Sequence, residues 1–188
     1  MNNNKIKKLT GTSIFMALVI VLQLISNYIN FGLVNITLAL FPIALGAIIY
    51  GPLAGLFLGL VHGAIVITAP STSGFLGYSP ALTIIVCLLK SGIAGLVSGL
   101  IFKYLKSKNF TLSIILASLC VPIINTGLFA IAMLTLFKPI LVAAANGENI
   151  IIFLFVGFIT YNFLIEFVIN SALTPTIISL TKLKEKIK

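Results

Sequence analysis

Six apolar stretches separated by short polar segments run through most of the chain. They cover residues 9–29, 36–50, 53–69, 80–104, 111–137 and 150–180. A helix needs about twenty apolar residues to cross a bilayer, and all but the short second stretch approach that length. The pattern therefore predicts six transmembrane helices. The polar segments predict a tight turn at Gly51 and Pro52, a loop over residues 70–79 and a linker over residues 138–149.

The overall composition agrees with a membrane environment. Of the 188 residues, 60% are hydrophobic and only 8% are charged, and the mean hydropathy is +1.22. Soluble domains are about 25% charged, so the chain is predicted to be an all-α integral membrane protein. We expect one membrane domain over residues 1–188, with short tails at 1–8 and 181–188 and no sizeable soluble domain.

The lysines lie mainly at the ends of the predicted helices. They form three clusters: Lys5, Lys7 and Lys8; Lys103, Lys106 and Lys108; and Lys182, Lys184, Lys186 and Lys188. Positive charge favours the cytoplasmic side, and an even number of predicted helices separates each cluster from the next. Both termini are therefore predicted to be cytoplasmic. The net charge of +9 is then explained by orientation in the lipid bilayer, and we predict no nucleic-acid partner.

Two ionisable side chains fall inside the predicted helices. Glu166 lies in the last apolar stretch, with Asn162 and Asn170 four residues to either side, so all three share one helical face. Lys90 is the other charge at membrane depth. An ionisable residue at the bilayer centre costs about 3 kcal/mol on insertion scales, so it needs a partner or a water-filled cavity.

Helical rise places these polar groups at similar depth in the membrane. Lys90, Asn125, Asn162 and Glu166 come from three different predicted helices and converge on one layer. This convergence predicts a solute pocket in which Lys90 binds an anionic group and the asparagines bind hydroxyls or amides. A buried Lys90–Glu166 ion pair is the alternative, as in a structural or assembly protein. A passive channel or proton-coupled carrier is a third possibility.

Small residues recur at helical spacing on three of the predicted helices. The positions are Gly51, Gly55, Gly59 and Gly63; Ser91, Gly95 and Gly99; and Ser13 and Ala17. Such ridges let two helix backbones approach closely. We expect the first two sets to pack within the bundle. The third is a candidate surface for another membrane protein.

The residue types present argue against an enzyme. The chain has no aspartate and no G-x-x-x-x-G-K-[ST] motif, so it is predicted to carry no ATPase site of its own. Its single histidine, His62, is expected to make a structural hydrogen bond rather than bind metal. Cys87 and Cys120 lie in apolar context and are interpreted as buried thiols. We therefore predict no catalytic residue, metal site or cofactor.

The segment 44–55, ALGAIIYGPLAG, contains a Gly-Pro-x-x-Gly turn between the second and third helices. With the chain's size, six helices and basic N-terminus, it resembles the substrate-binding (S) components of energy-coupling factor (ECF) vitamin transporters. The resemblance implies a transmembrane coupling subunit and two cytoplasmic ATPases as partners, and a location in the plasma membrane of a Gram-positive-type cell. Ser13 and Ala17 then occupy the family's Ala-x-x-x-Ala docking motif, with serine in place of the first alanine.

The resemblance also implies a ligand class. Segments 34–40 (VNITLAL) and 121–129 (VPIINTGLF) are most similar to pantothenate-type S components. Since the family binds vitamins near its outer face, Asn35 and Tyr78 in the outer loops join the substrate-binding candidates. Riboflavin or another vitamin is the alternative. Tryptophan is absent, which gives no support to a strongly stacked ring as ligand.

Overall fold

The computed structural model describes residues 3–28, 30–31, 34–35 and 37–186, without the side chains of residues 3, 4, 30, 31, 34, 35, 157, 158 and 184–186. The chain is a bundle of helices with one small antiparallel hairpin. The elements are α1 (Asn3–Tyr28), β1 (Asn30–Phe31), β2 (Val34–Asn35), α2 (Leu40–Tyr50), α3 (Pro52–Val66), a 3₁₀ turn (Pro70–Thr72), α4 (Ser73–Tyr78), α5 (Pro80–Leu105), α6 (Phe110–Thr135), α7 (Lys138–Ala145), α8 (Ile150–Ile152), a π-helical stretch (Phe153–Ile159) and α9 (Thr160–Lys186).

All six apolar stretches form helices, but their lengths differ. Four helices are long and apolar enough to cross a membrane: Lys5–Tyr28, Pro80–Leu105, Phe110–Thr135 and Ile150–Leu183. Pro52–Val66 and Pro70–Tyr78 together pass the same test but are bent by 78°, so they add a fifth span if taken as one. The described residues thus contain four or five candidate spans. Six crossings and cytoplasmic termini remain predictions.

Helix α2 is short because it is enclosed by the rest of the protein. Its 11 residues extend about 16 Å, roughly half of the hydrocarbon thickness. Eight of them are buried: Leu40, Pro42, Ile43, Ala44, Leu45, Gly46, Ala47 and Ile48. They pack against α1, α3, α5, α6 and α9. An apolar helix buried all round needs no polar face, which explains its uninterrupted hydrophobic sequence.

A close seam between α3 and α5 forms the rigid part of the bundle. A Cβ atom at Gly55 would lie 2.2 Å from the carbonyl oxygen of Gly95, and one at Gly63 would lie 2.4 Å from that of Cys87. At these positions the two backbones touch, and only glycine fits. The expectation that these glycine ridges pack within the bundle is confirmed.

The polar segments predicted as a loop and a linker are partly helical. In the first, Phe75 of α4 packs edge-on against Phe137 at 5.1 Å between ring centroids. In the second, α7 buries Leu141 and ends at Asn146, which adopts a left-handed conformation with φ of 46°. Both segments carry apolar side chains that need a partner, and helical turns let them be buried while the backbone bonds internally.

Candidate ligand-binding site

A cavity of about 130 Å³ lies between the helices. One water needs about 10–15 Å³ on this measure, so the cavity has room for on the order of ten waters, or one small molecule. Its lining comprises Gln23, Ser26, Asn27, Thr37, Val66, Ala69, Ser71, Thr72, Phe75, Thr83, Val86, Cys87, Lys90, Asn125, Thr126, Phe129, Phe137, Ile159, Asn162 and Glu166.

The cavity occupies the half of the bundle that is remote from the lysine clusters. Its walls are the C-terminal parts of α1 and α6 and the N-terminal parts of α5 and of the last long helix. The clustered lysines lie at the opposite ends of these helices, as at Lys8 and Lys103. Helix α4 and the neighbouring 3₁₀ turn add Ser71, Thr72 and Phe75. The rest of the wall comes from Thr37, Val66, Ala69 and Phe137.

Lys90 brings a positive charge to the cavity wall from the middle of α5. Its Nζ donates to the Oδ1 atom of Asn125 at 3.3 Å and lies 5.6 Å from the ring centroid of Phe129. Among the described residues Lys90 forms no ion pair. Its ammonium group thus contacts an amide oxygen and an aromatic ring, which stabilise a cation without neutralising it. Such a lysine is suited to bind the anionic group of a ligand.

Glu166 lies on the wall contributed by α9 and is 4% exposed. The hydroxyl and backbone N–H of Thr37 and the hydroxyl of Thr126 lie next to its carboxylate. Within the described part of the chain, Glu166 and Lys90 do not form the ion pair considered as the alternative. The groups next to the carboxylate are hydroxyls and a backbone N–H rather than the lysine.

The two asparagine candidates lie on the same cavity. Asn125 comes from α6, one turn after Pro122, and its Oδ1 is 3.3 Å from both Lys90 Nζ and Ser91 Oγ. Asn162 lies one turn before Glu166 on α9 and also lines the space. Four predicted residues, Lys90, Asn125, Asn162 and Glu166, therefore meet at one site.

Of the other two predicted binding residues, one lies outside this wall and the side chain of the other is not described. Tyr78 ends α4, is 48% exposed, and packs against Phe137 at 6.3 Å between ring centroids without lining the cavity. Asn35 belongs to β2, but its side chain is outside the described residues. Asn170, which shares the helical face of Glu166, is buried below the cavity and donates from Nδ2 to the Glu166 carbonyl oxygen at 3.0 Å.

Helix α1 contributes polar groups that sequence reasoning missed. Gln23, Ser26 and Asn27 all line the cavity, and Gln23 Nε2 donates to Asn27 Oδ1 at 2.8 Å. Their spacing of three and four residues puts them on one face of the helix. This spacing within an apolar helix was the available signal.

His62 makes the structural hydrogen bonds expected of it. It is fully buried on α3, and its ring nitrogens lie 2.9 Å from Ser91 Oγ and 2.9 Å from Gln23 Oε1. It does not itself line the cavity. In the part of the chain that the structure describes, no three His, Cys, Asp or Glu residues are grouped as metal ligands would be.

The site combines separated charges with apolar walls. Lys90 and Glu166 provide one positive and one acidic group, with amides and hydroxyls between them. Phe75, Phe129 and Phe137 contribute aromatic surface. A largely apolar pocket with a few convergent polar groups is typical of a small-molecule binding site. The arrangement suits a small anion that also carries hydroxyl or amide groups.

Comparison with known proteins gives two matches. The family described as "ECF transporter, substrate-specific component" matches residues 7–178. Among curated proteins, the chain is 34% identical over 118 residues to a protein named pantothenate transporter PanT, from Leuconostoc mesenteroides subsp. mesenteroides. That alignment covers 58% of this chain and 58% of the relative, less than two thirds of the relative's length. Among solved structures, none matches the chain significantly.

Proposed function

Because the chain belongs to the substrate-specific components of ECF transporters, we propose that it captures pantothenate in the cavity beside Lys90. It then delivers the vitamin through a transmembrane coupling subunit whose work is driven by two cytoplasmic ATPases. The chain is a multi-pass protein of the plasma membrane, with six crossings and both termini in the cytoplasm. The cavity, which is remote from the lysine-rich ends, faces outward to receive the vitamin.

The observation that carries this proposal is the lysine in the cavity wall. Pantothenate has one carboxylate for the Lys90 ammonium group, which contacts an amide and a phenyl ring and pairs with no carboxylate among the described residues. Its two hydroxyls and its amide match the acceptor Glu166 and the amides of Asn125 and Asn162. The name of the Leuconostoc relative supports this vitamin over riboflavin.

The test is equilibrium binding by the purified, detergent-solubilised chain. We expect one pantothenate per chain to bind tightly, and riboflavin to bind more weakly or not at all. Mass spectrometry of small molecules that copurify with the protein identifies the ligand independently. Tight riboflavin binding without pantothenate binding would replace the vitamin but keep the S-component function. Transport into liposomes without any ATPase would instead favour a carrier.

Ser13 and Ala17 are proposed to dock the coupling subunit. Both are exposed on α1, away from the cavity end of that helix. Replacing Ala17 with tryptophan should block close approach of a second helix. We expect uptake by cells that contain the full transporter to be lost, while pantothenate binding by the isolated chain stays unchanged. Radiolabelled uptake and equilibrium binding measure the two effects.

The matched control is Ala172→Trp, a change at an exposed alanine of α9. If α1 is the docking surface, this variant should keep both uptake and binding. An equal loss of uptake in the Ala17 and Ala172 variants, or a loss of binding in the Ala17 variant, would contradict the docking assignment.

A further inference from the structure

A chain of hydrogen bonds runs from the cavity wall on α1, through α3, to Ser91 on α5. It runs from Asn27 to Gln23, from Gln23 to His62 and from His62 to Ser91. Ser91 also lies 3.3 Å from Asn125 Oδ1. His62 is the one link on α3, and it lies one layer behind the wall because it touches Gln23 but not the cavity. The orientation of Gln23 and Asn27 in the cavity wall is therefore tied to a residue behind the wall.

The donors and acceptors in this chain have a consistent direction. Gln23 uses Nε2 to donate to Asn27 Oδ1, so its Oε1 atom is the one that faces His62. An oxygen there requires the histidine to donate from Nε2–H, and a neutral ring then accepts at Nδ1. The single proton of Ser91 satisfies that nitrogen at 2.9 Å, the shorter of its two contacts. Asn125 Oδ1 is left to accept from Lys90.

We propose that His62 is a positioning residue for ligand binding, which holds the Gln23 amide so that its second Nε2–H faces the cavity. A glutamine that is free to turn can present either an oxygen or an N–H group, and fixing one orientation costs side-chain entropy. In this protein the histidine fixes it before the ligand arrives. The wall at Gln23 then favours a ligand group that accepts a hydrogen bond, such as a carbonyl or carboxylate oxygen.

This inference rests on the proposed function, because it requires the cavity to bind pantothenate. It assigns a role to His62 that a purely structural cross-link between α1, α3 and α5 would not have. A cross-link affects the stability of the protein without ligand. A positioning residue also changes affinity, and it does so only through Gln23.

The experiment is a double-mutant cycle on the full chain in detergent, with pantothenate as the probe. We expect His62→Leu to weaken binding by about tenfold, the size of one hydrogen bond between uncharged groups. In a Gln23→Leu background, the same histidine change should alter the dissociation constant by less than about twofold. Thermal unfolding without ligand is measured in parallel, to separate lost stability from lost affinity.

Two conservative variants keep the test decisive if His62→Leu does not fold. A glutamine at this position places its amide N–H near the place of the ring Nε2–H, so His62→Gln should keep near-normal affinity. The shorter asparagine places its amide near the position of the ring Nδ1, which faces Ser91, and does not reach Gln23. His62→Asn should therefore weaken binding. Equal affinities of these two variants would overturn the proposal, as would equal weakening by His62→Leu in both backgrounds of the cycle. Failure of the unmodified protein to bind pantothenate would instead overturn the proposed function.

Discussion

Replacing Lys90 with alanine should weaken pantothenate binding by about 2–4 kcal/mol, which is roughly a 30-fold to 1,000-fold rise in the dissociation constant. The loss is large because the ammonium group lies on a cavity wall among aromatic and amide groups, with no ion-pair partner among the described residues. A carboxylate taken into this cavity without that charge would lose its hydration and gain no counter-ion. Isothermal calorimetry in detergent measures the change.

Two controls separate charge recognition from general damage. Lys103→Ala removes an exposed lysine from the far end of the same helix and should leave affinity unchanged. The alcohol analogue of pantothenate lacks the carboxylate, so its affinity should depend little on Lys90. Unchanged pantothenate binding by Lys90→Ala would remove this residue from the site. Equal weakening of both ligands would show that it acts on the shape of the cavity.

Replacing Gly59 with alanine should lower the stability of the protein by about 2–3 kcal/mol or more, the size expected when a tight interface is overpacked. The added Cβ would lie 2.1 Å from the carbonyl oxygen of Ser91 and 2.9 Å from the Gly92 Cα atom. These are backbone atoms, so no side-chain rotation can relieve the clash, and α3 and α5 must separate. Thermal unfolding of the detergent-solubilised protein is the measurement.

Gly127→Ala provides a control within another helix. No heavy atom lies within 4 Å of a Cβ built at Gly127, and alanine is favoured over glycine in helices by up to about 1 kcal/mol. This variant should be as stable as the unmodified protein or slightly more so. The same chemical change should therefore have opposite signs at the two positions. Similar unfolding temperatures for both variants would contradict the seam as the source of rigidity.

The sequence could predict which residues belong to the site where placing them in the bilayer has the largest free-energy cost. Lys90 and Glu166 stand out because a charge within an apolar helix needs a partner or a polar cavity. Both line the cavity. The asparagines at 125 and 162 could be placed from helical rise alone. The sequence does not assign Gln23 and Asn27 of α1 to the binding site as clearly, because uncharged polar residues near a helix end are common in proteins of any function.

The parts that sequence could not predict depend on contacts between distant segments. Among the described residues Lys90 and Glu166 form no ion pair, and Thr37 and Thr126 lie next to the carboxylate instead. No local pattern in the sequence predicts that these threonines would lie there. The helical turns of α4 form because Phe75 finds aromatic partners on and after α6. The glycine ridges were different, since their four-residue spacing already indicated close packing of helices.

Because the backbones of α3 and α5 touch directly, the glycines between them must be kept, whereas the side chains that line the cavity can change. The seam is made of backbone atoms, whereas the cavity is lined by side chains from α5 and from most of the other elements of the bundle. Lining residues such as Thr83 and Thr126 can therefore be exchanged without disturbing the seam. A single scaffold of this kind is a suitable starting point for reprogramming an importer toward a new nutrient, one substitution at a time.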